Sequence, residues 1–193
     1  MEQIISVSNF DNIQDGGTRF SVDVEYTTSP LDETLTGLGV RLHFDSSIIG
    51  FDRLENVFSQ NLVVEDVFPD TDDNDNDPNT DQYVSVAWGD FRGEWPGGEL
   101  PTLIYTVNFI TAPSFLEEPT TLNFSASSVA NGYTFNAASF TIEPSGEGNQ
   151  APIIETNRFS LQENSGNGTI IGTIEASDPE EDEISYNIDS DIF

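Results

Sequence analysis

Cysteine and lysine are both absent from the 193 residues; the basic side chains are five arginines and a single histidine. Without cysteine, no disulfide staples the fold and no thiolate serves as nucleophile or metal ligand. Without lysine there is no Schiff-base chemistry and no Lys–Asn cross-link of the kind that stiffens some surface adhesins. Thirty-five acids face these few bases, giving a formal charge of −30. Such a polyanion gains no counterion release from phosphates, which argues against nucleic acid or anionic lipid as partners. It attracts cations instead, and its self-repulsion destabilises the compact state unless salt or bound metal screens it. Adaptation to a salty medium would leave the same acidic surface and is compatible with metal binding. Long apolar runs are missing as well. No segment approaches the roughly 20 residues of a membrane span, so no direct membrane insertion is expected. Met1 is followed by EQIISVSNF with no basic start or apolar stretch, so an export signal is expected outside this chain.

The chain is not a disordered acidic tail: 36% of it is apolar, with 14 phenylalanines, enough for a core. Its pattern is period two almost throughout. In TRFSVDVEY, Phe20, Val22, Val24 and Tyr26 alternate with Ser21, Asp23 and Glu25; in GVRLHFD, Val40, Leu42 and Phe44 alternate with Arg41, His43 and Asp45. QYVSVAWGD, TLIYTVNFI, TTLNFSASSV and YTFNAASFTIEP continue the habit. These are half-buried strands, and short strands split by Gly, Pro, Asn and Asp imply an all-β antiparallel β-sandwich over residues 2–143. PSGEGNQAP (144–152) is a linker by composition. After it, FSLQEN, GTIIGTIEAS and ISYNI are strand-like again. A sandwich needs about 100 residues, so residues 153–193 are expected to supply only the N-terminal part of a second one.

One stretch stands apart. DTDDNDNDPNTD, residues 70–81, has no base and no large apolar side chain, and from Glu65 to Asp81 there are eight acids. Calcium takes six to eight oxygens on a flexible loop. On the twelve-residue EF-hand scheme, Asp70, Asp72 and Asn74 take positions one, three and five, Asn76 offers its carbonyl at seven, and Asp81 closes at twelve. Position six is Asp75 rather than glycine, although Asp tolerates a left-handed backbone. Frames built on Asp73, Asp75 and Asp77 fit almost equally, and the alternative to all of them is a solvated loop extended by its own repulsion. Mg²⁺ keeps its waters and needs few carboxylates. Zinc is disfavoured, with no Cys and one His.

The remaining candidates are single residues. His43 alternates with core positions and is expected on the outer sheet face or in solvent, and no Ser–Asp constellation attaches to it from sequence alone. Trp88 shares a face with Val84 and Val86 and reads as core. Trp95, in the Gly/Pro-rich DFRGEWPGGELP, reads either as an exposed aromatic that with Phe91 and Arg92 stacks on a sugar or anchors a protein, or as a loop residue folded over the sandwich edge. Carboxylate pairs for glycoside hydrolysis cannot be singled out where acids are everywhere.

The C-terminal piece resembles the start of a bacterial cadherin-like repeat. The matching residues are Asn149-Gln150-Ala151-Pro152, then Phe159-x-Leu161-x-Glu163-Asn164, Gly168-Thr169-x-x-Gly172-x-Ile174-x-Ala176-x-Asp178, and Ile184-x-Tyr186-x-Ile188. The resemblance implies a Greek-key sandwich with calcium at the interdomain junctions. Asn149 then lies where the linker supplies ligands, Asp178 and Glu180 where an acidic pair reaches back to that junction, and Glu163 where the family glutamate points forward. The first part resembles cohesin-like modules and their carbohydrate-binding relatives in GLGVRLHFDSSIIGF (37–51) and LPTLIYTVNFIT (100–111), with a jelly-roll or Greek-key sandwich implied. With WGDFRGEWPG (88–97) beside the Asp/Asn loop, it also resembles repeat units of large secreted calcium-dependent proteins of marine bacteria.

Together these readings describe a non-enzymatic, Ca²⁺-binding adhesion or architectural module of a large bacterial surface or secreted protein. Its expected location is the cell surface or outside the cell. Its partners would be neighbouring domains of the same long chain and a cell-surface carbohydrate or protein. A carbohydrate-binding module with structural calcium is the second reading, and a cohesin-type protein receptor the third.

Overall fold

Alternation of apolar and polar residues becomes ladder pairing in the computed structural model, which describes residues 1–10, 17–113, 119–143, 152–155, 158–179 and 183–187. The strands in chain order are β1 (Glu2–Phe10), β2 (Arg19–Ser29), β3 (Thr34–Leu35), β4 (Gly37–Phe44), β5 (Ile49–Glu55), β6 (Leu62–Pro69) and β7 (Gln82–Gly89). They continue as β8 (Trp95–Pro96), β9 (Thr102–Thr111), β10 (Thr120–Ser128), β11 (Thr134–Ala137), β12 (Phe140–Ile142), β13 (Ile153–Ile154) and β14 (Ala176–Ser177). No α-helix occurs among the described residues, and none there is long and apolar enough to cross a membrane.

Two five-stranded sheets form the first unit, in the orders β11-β1-β2-β9-β5 and β12-β10-β4-β7-β6. Pairing is antiparallel except between β1 and β11, which run parallel. One apolar cluster takes side chains from both sheets: Val22, Val24, Val107 and Phe109 from the first, Leu42, Phe44, Val84 and Val86 from the second. Phe44 meets Phe109 edge-on at 5.3 Å. The strict alternation of β2 places Phe20, Val22, Val24 and Tyr26 inside, as its sequence predicts.

A polar group crosses this interior. Gln3 is fully buried; its amide N–H₂ donates to the Tyr26 hydroxyl at 2.9 Å and to the Gly37 carbonyl at 3.1 Å, and its carbonyl accepts from the Ala130 N–H at 2.7 Å. All its partners are satisfied, which makes burial of an amide tolerable. Gly37 itself has φ +121°, and a Cβ there would run into the Trp88 carbonyl, so only glycine allows the start of β4 to approach β7 this closely.

The chain divides into two compact units, Met1–Gly146 and Glu147–Phe193. In the second, the two-residue strands β13 and β14 pair antiparallel, and Ile153, Ile154, Phe159, Leu161, Ile170, Ile171, Ile174 and Tyr186 are exposed.

Candidate functional site

The acidic segment 70–81 is the connection between β6 and β7, neighbours in one sheet. Its ends are tied by backbone, Asp70 N–H to Asp81 carbonyl at 2.8 Å, and Asp81 N–H reaches the Phe44 carbonyl at 3.2 Å. Between them lie two tight turns, closed by Asn76 N–H on the Asp73 carbonyl (3.3 Å) and Thr80 N–H on the Asp77 carbonyl (3.1 Å). The left-handed positions are Asp73 (φ 50°) and Asn76 (φ 60°). An EF-hand frame starting at Asp70 needs that conformation at Asp75, so the loop departs from that frame, one of several the sequence left open. Its closing residue departs as well: the Asp81 carboxylate accepts from Ser46 N–H at 2.7 Å and from the Ser46 hydroxyl at 2.6 Å.

The loop folds back over the outer face of its own sheet. His43 of β4 and Asn123 and Ser125 of β10 project there, and the loop lays Asp70, Asp75 and Asp77 against them. His43 Nδ1 is 2.7 Å from Asp70 Oδ2 and 3.8 Å from Asp75 Oδ1, and its Nε2 is 2.7 Å from Ser125 Oγ. The His43 and Asp70 side chains are 0% exposed and that of Asp75 is 1% exposed. This corrects one alternative of the sequence reading: His43 is on the outer face but sealed from solvent, because the loop covers it. The absence of a Ser–Asp constellation is corrected too, since Asp70, His43 and Ser125 form a hydrogen-bonded chain.

Amide and hydroxyl donors hold these carboxylates from behind. Asn74 donates to Asp70 Oδ1 from its side-chain amide at 2.9 Å. Asn123 Nδ2 donates to Asp75 Oδ2 and Asp77 Oδ2, both at 3.0 Å. The Thr80 hydroxyl lies 3.1 Å and 3.0 Å from the two Asp75 oxygens. Burial alone would push the Asp70 carboxyl up, but the Asn74 side chain and backbone and His43 outweigh it and hold it below the ordinary range. Asp77 is likewise held down, first by the Asn79 backbone N–H and then, against the opposing effect of burial, by the Asn123 and Asn79 amides. Arg41 adds the nearest permanent positive charge, 3.4 Å from Asn74 Oδ1, with its guanidinium over the Tyr83 ring at 5.4 Å.

The other residues singled out from sequence fall elsewhere. Asp72, Asp73 and Asn76 are exposed, and Asn74 is half-buried. Among the described residues one group of three ligating side chains converges, His43, Asp70 and Asp75; Glu163, exposed, and Asp178, half-buried beside β14, are not in it. Asn149 and Glu180 lie outside the described residues. Trp95 is not an exposed platform: it is fully buried, stacked on Trp88 at 5.6 Å and tilted against Tyr26 at 4.8 Å. The pairing of β3 with β8 turns this Gly/Pro-flanked residue into the core. Phe91 is fully exposed; Arg92 is exposed, and its backbone N–H donates to Asp90 Oδ1 at 2.9 Å. Sequence reasoning missed Asn123 and Ser125; their outward register on β10 was readable, but not which loop would cover it.

No protein-family model and no curated protein sequence matches the chain. Solved structures do. The seventh ScaB type I cohesin from Pseudobacteroides cellulosolvens superposes with a TM-score of 0.50 at 8% identity, covering 81% of this chain and 99% of that one. A type I cohesin–dockerin complex from Clostridium thermocellum gives 0.49 at 12% identity, covering 73% and 99%. The fold is cohesin-like. At these identities the likeness extends to the fold alone, and it agrees with the antiparallel sandwich described above.

Proposed function

We propose that this protein is an extracellular binding and architectural module whose loop 70–81 is ordered by calcium, with a cohesin-like sandwich followed by the start of a cadherin-like repeat. The observation that carries the reading is the convergence of Asp70, Asp75 and Asp77 on one covered patch of a polyanion, where an added divalent cation removes the most repulsion. Calcium would be held by Asp75 and Asp77 with Asn123. The amide oxygen and nitrogen of Asn123 exchange places by a half-turn of the side chain, so the atom between the two carboxylates becomes an oxygen ligand when a cation arrives. Calcium then neutralises the cluster and fixes the loop to β10. The partners would be neighbouring domains of the same long chain and a surface carbohydrate or protein.

The carbohydrate alternative loses its aromatic platform with Trp95 buried. The polar cleft beside the loop, lined by residues including Asp45, Asp77, Asn79 and Thr121, has no aromatic wall among the described residues. The test is thermal unfolding in chelator, in Ca²⁺ and in Mg²⁺ at matched ionic strength. A rise specific to Ca²⁺ supports the reading. Equal effects of Ca²⁺, Mg²⁺ and NaCl would leave a salt-adapted sandwich.

A further inference from the structure

Calcium chemistry leaves the middle of the patch unexplained. Calcium takes oxygen, yet the group at the centre is a fully buried imidazole with two carboxylate oxygens at its Nδ1 and the Ser125 hydroxyl at its Nε2. We propose that His43, Asp70 and Asp75 form a second cation site of different chemistry, an N,O,O site for a borderline divalent metal of the zinc class. This goes beyond the calcium reading and stands without it.

Three observations carry the proposal. The ligand atoms face one another: His43, Asp70 and Asp75 each offer one, all within 4.8 Å of one another. Zinc binds imidazole nitrogen and carboxylate oxygen at about 2.0–2.2 Å, so its ligand atoms stand roughly 3–3.6 Å apart. The observed separations from Nδ1, 2.7 and 3.8 Å, straddle that range. Next, Asn74 holds Asp70 Oδ1, which aims Oδ2 at the imidazole, and Asn123 holds Asp75 Oδ2. The Thr80 hydroxyl bridges both Asp75 oxygens at 3.1 and 3.0 Å and keeps Oδ2 as a partner when Oδ1 turns to the metal. Finally, the far ring nitrogen has the partner a metal-bound histidine requires. With Nδ1 on the metal, Nε2–H donates to Ser125 Oγ at 2.7 Å, fixing tautomer and ring plane. In the metal-free state Nδ1–H donates to Asp70 and, on the neutral ring, Nε2 accepts from the Ser125 hydroxyl. Metal binding at Nδ1 moves the ring proton to Nε2 and turns the Ser125 hydroxyl to accept it, with no net proton release. The bond would join the β6–β7 loop to the middle of the sheet, a cross-link in a chain without cysteine or lysine.

His43 is the only histidine, so the imidazole nitrogens of the full chain give one set of ¹⁵N resonances. The experiment adds Zn²⁺ to chelator-stripped protein in saturating Ca²⁺. Expected are a shift of Nδ1 complete at one equivalent and transfer of the ring proton from Nδ1 to Nε2, seen as an Nε2–H signal in the bound form. Ser125→Ala should weaken Zn²⁺ binding by about 10–100-fold and His43→Gln by more than about 100-fold, while His43→Gln keeps its Ca²⁺-specific thermal shift. Loss of that shift in wild type with Zn²⁺ binding intact would sink the calcium reading alone. Unmoved imidazole resonances, equal Zn²⁺ affinity in His43→Gln, or labelling of Ser125 by a fluorophosphonate would each overturn the metal site. The last would make Asp70–His43–Ser125 a proton relay instead. The wild-type NMR readout decides the matter even where a variant fails to fold.

Discussion

Asp70 and Asp81 share a backbone hydrogen bond of 2.8 Å, yet their carboxylates part company, Asp70 going to His43 and Asp81 to Ser46. Backbone closure makes the segment a long hairpin connection between β6 and β7. Its acids therefore divide into an inward set, Asp70, Asp75 and Asp77, and an outward set that includes Asp72 and Asp73.

That division gives the first prediction. Asp75→Asn and Asp77→Asn are expected to abolish most of the Ca²⁺-specific rise in Tm, and Asp72→Asn and Asp73→Asn to leave it. With calcium at a hundredfold excess over Kd, the ligand contributes about 2.7 kcal/mol, or roughly 5–10 °C for a domain of this size. A rise that survives the inward substitutions and disappears with the outward ones would reverse the assignment.

The strands were legible because period-two patterning reports which face of a residue is buried. Val22, Val24, Leu42 and Phe44 follow it without exception. The same rule put His43 on the outer face, but nothing local says that a connection 27 residues later will fold over it. Trp95 illustrates the converse. Gly and Pro around it signal a break in regular structure, which is present, yet a two-residue ladder with Thr34 and Leu35 turns the side chain inward. In the second unit, FSLQEN and GTIIGTIEAS carry the alternation of strands, but the described ladder is only Ile153–Ile154 with Ala176–Ser177. Alternation makes a segment competent for a strand, and pairing requires a partner edge.

Trp95 should therefore behave as core. Trp95→Ala is expected to cost about 3–5 kcal/mol in urea unfolding. Trp95→Phe should cost clearly less, because it keeps most of the ring packing and removes an indole N–H that is buried without a partner. Phe91→Ala, at a fully exposed tip, should fall within about 0.5 kcal/mol of wild type. A Trp95→Ala protein of wild-type stability with altered ligand capture would return Trp95 to the surface.

Gln3 gives a sharper case. Gln3→Leu preserves bulk but strands the Ala130 N–H, the Gly37 carbonyl and the Tyr26 hydroxyl inside the protein. At about 1–3 kcal/mol for each buried group left unpaired, a loss of more than about 3 kcal/mol is expected, with the denaturant slope unchanged. A loss below 1 kcal/mol would mean that water replaces the amide.

The pH dependence should be bounded by a second pair. Asp32 accepts from the Thr34 hydroxyl (2.7 Å), the Tyr133 hydroxyl (2.8 Å) and the Thr34 N–H (2.9 Å), and these bonds, the Thr34 hydroxyl first, hold its carboxyl below the ordinary range. The bond to Asp32 in turn raises Tyr133. A depressed carboxyl contributes stability that is complete above its unfolded value, about 3.9, and is lost as pH falls through the folded one. A raised phenol contributes stability that is complete below about 10 and is lost as pH rises through its folded value. Asp32→Asn should therefore lower stability at neutral pH, with the gap to wild type closing below about pH 3.9. Tyr133→Phe should show the matching closure above about pH 10. Burial also raises Tyr105 and pushes Tyr26 up to about 12. Phenolate absorbance of the folded chain should then lag, with Tyr26, Tyr105 and Tyr133 ionising late among the five tyrosines, and rise abruptly at alkaline unfolding. If the Asp32→Asn gap stays flat from pH 6 to pH 2, the carboxylate contributes nothing through its charge, and packing around Tyr133 alone would account for the variant.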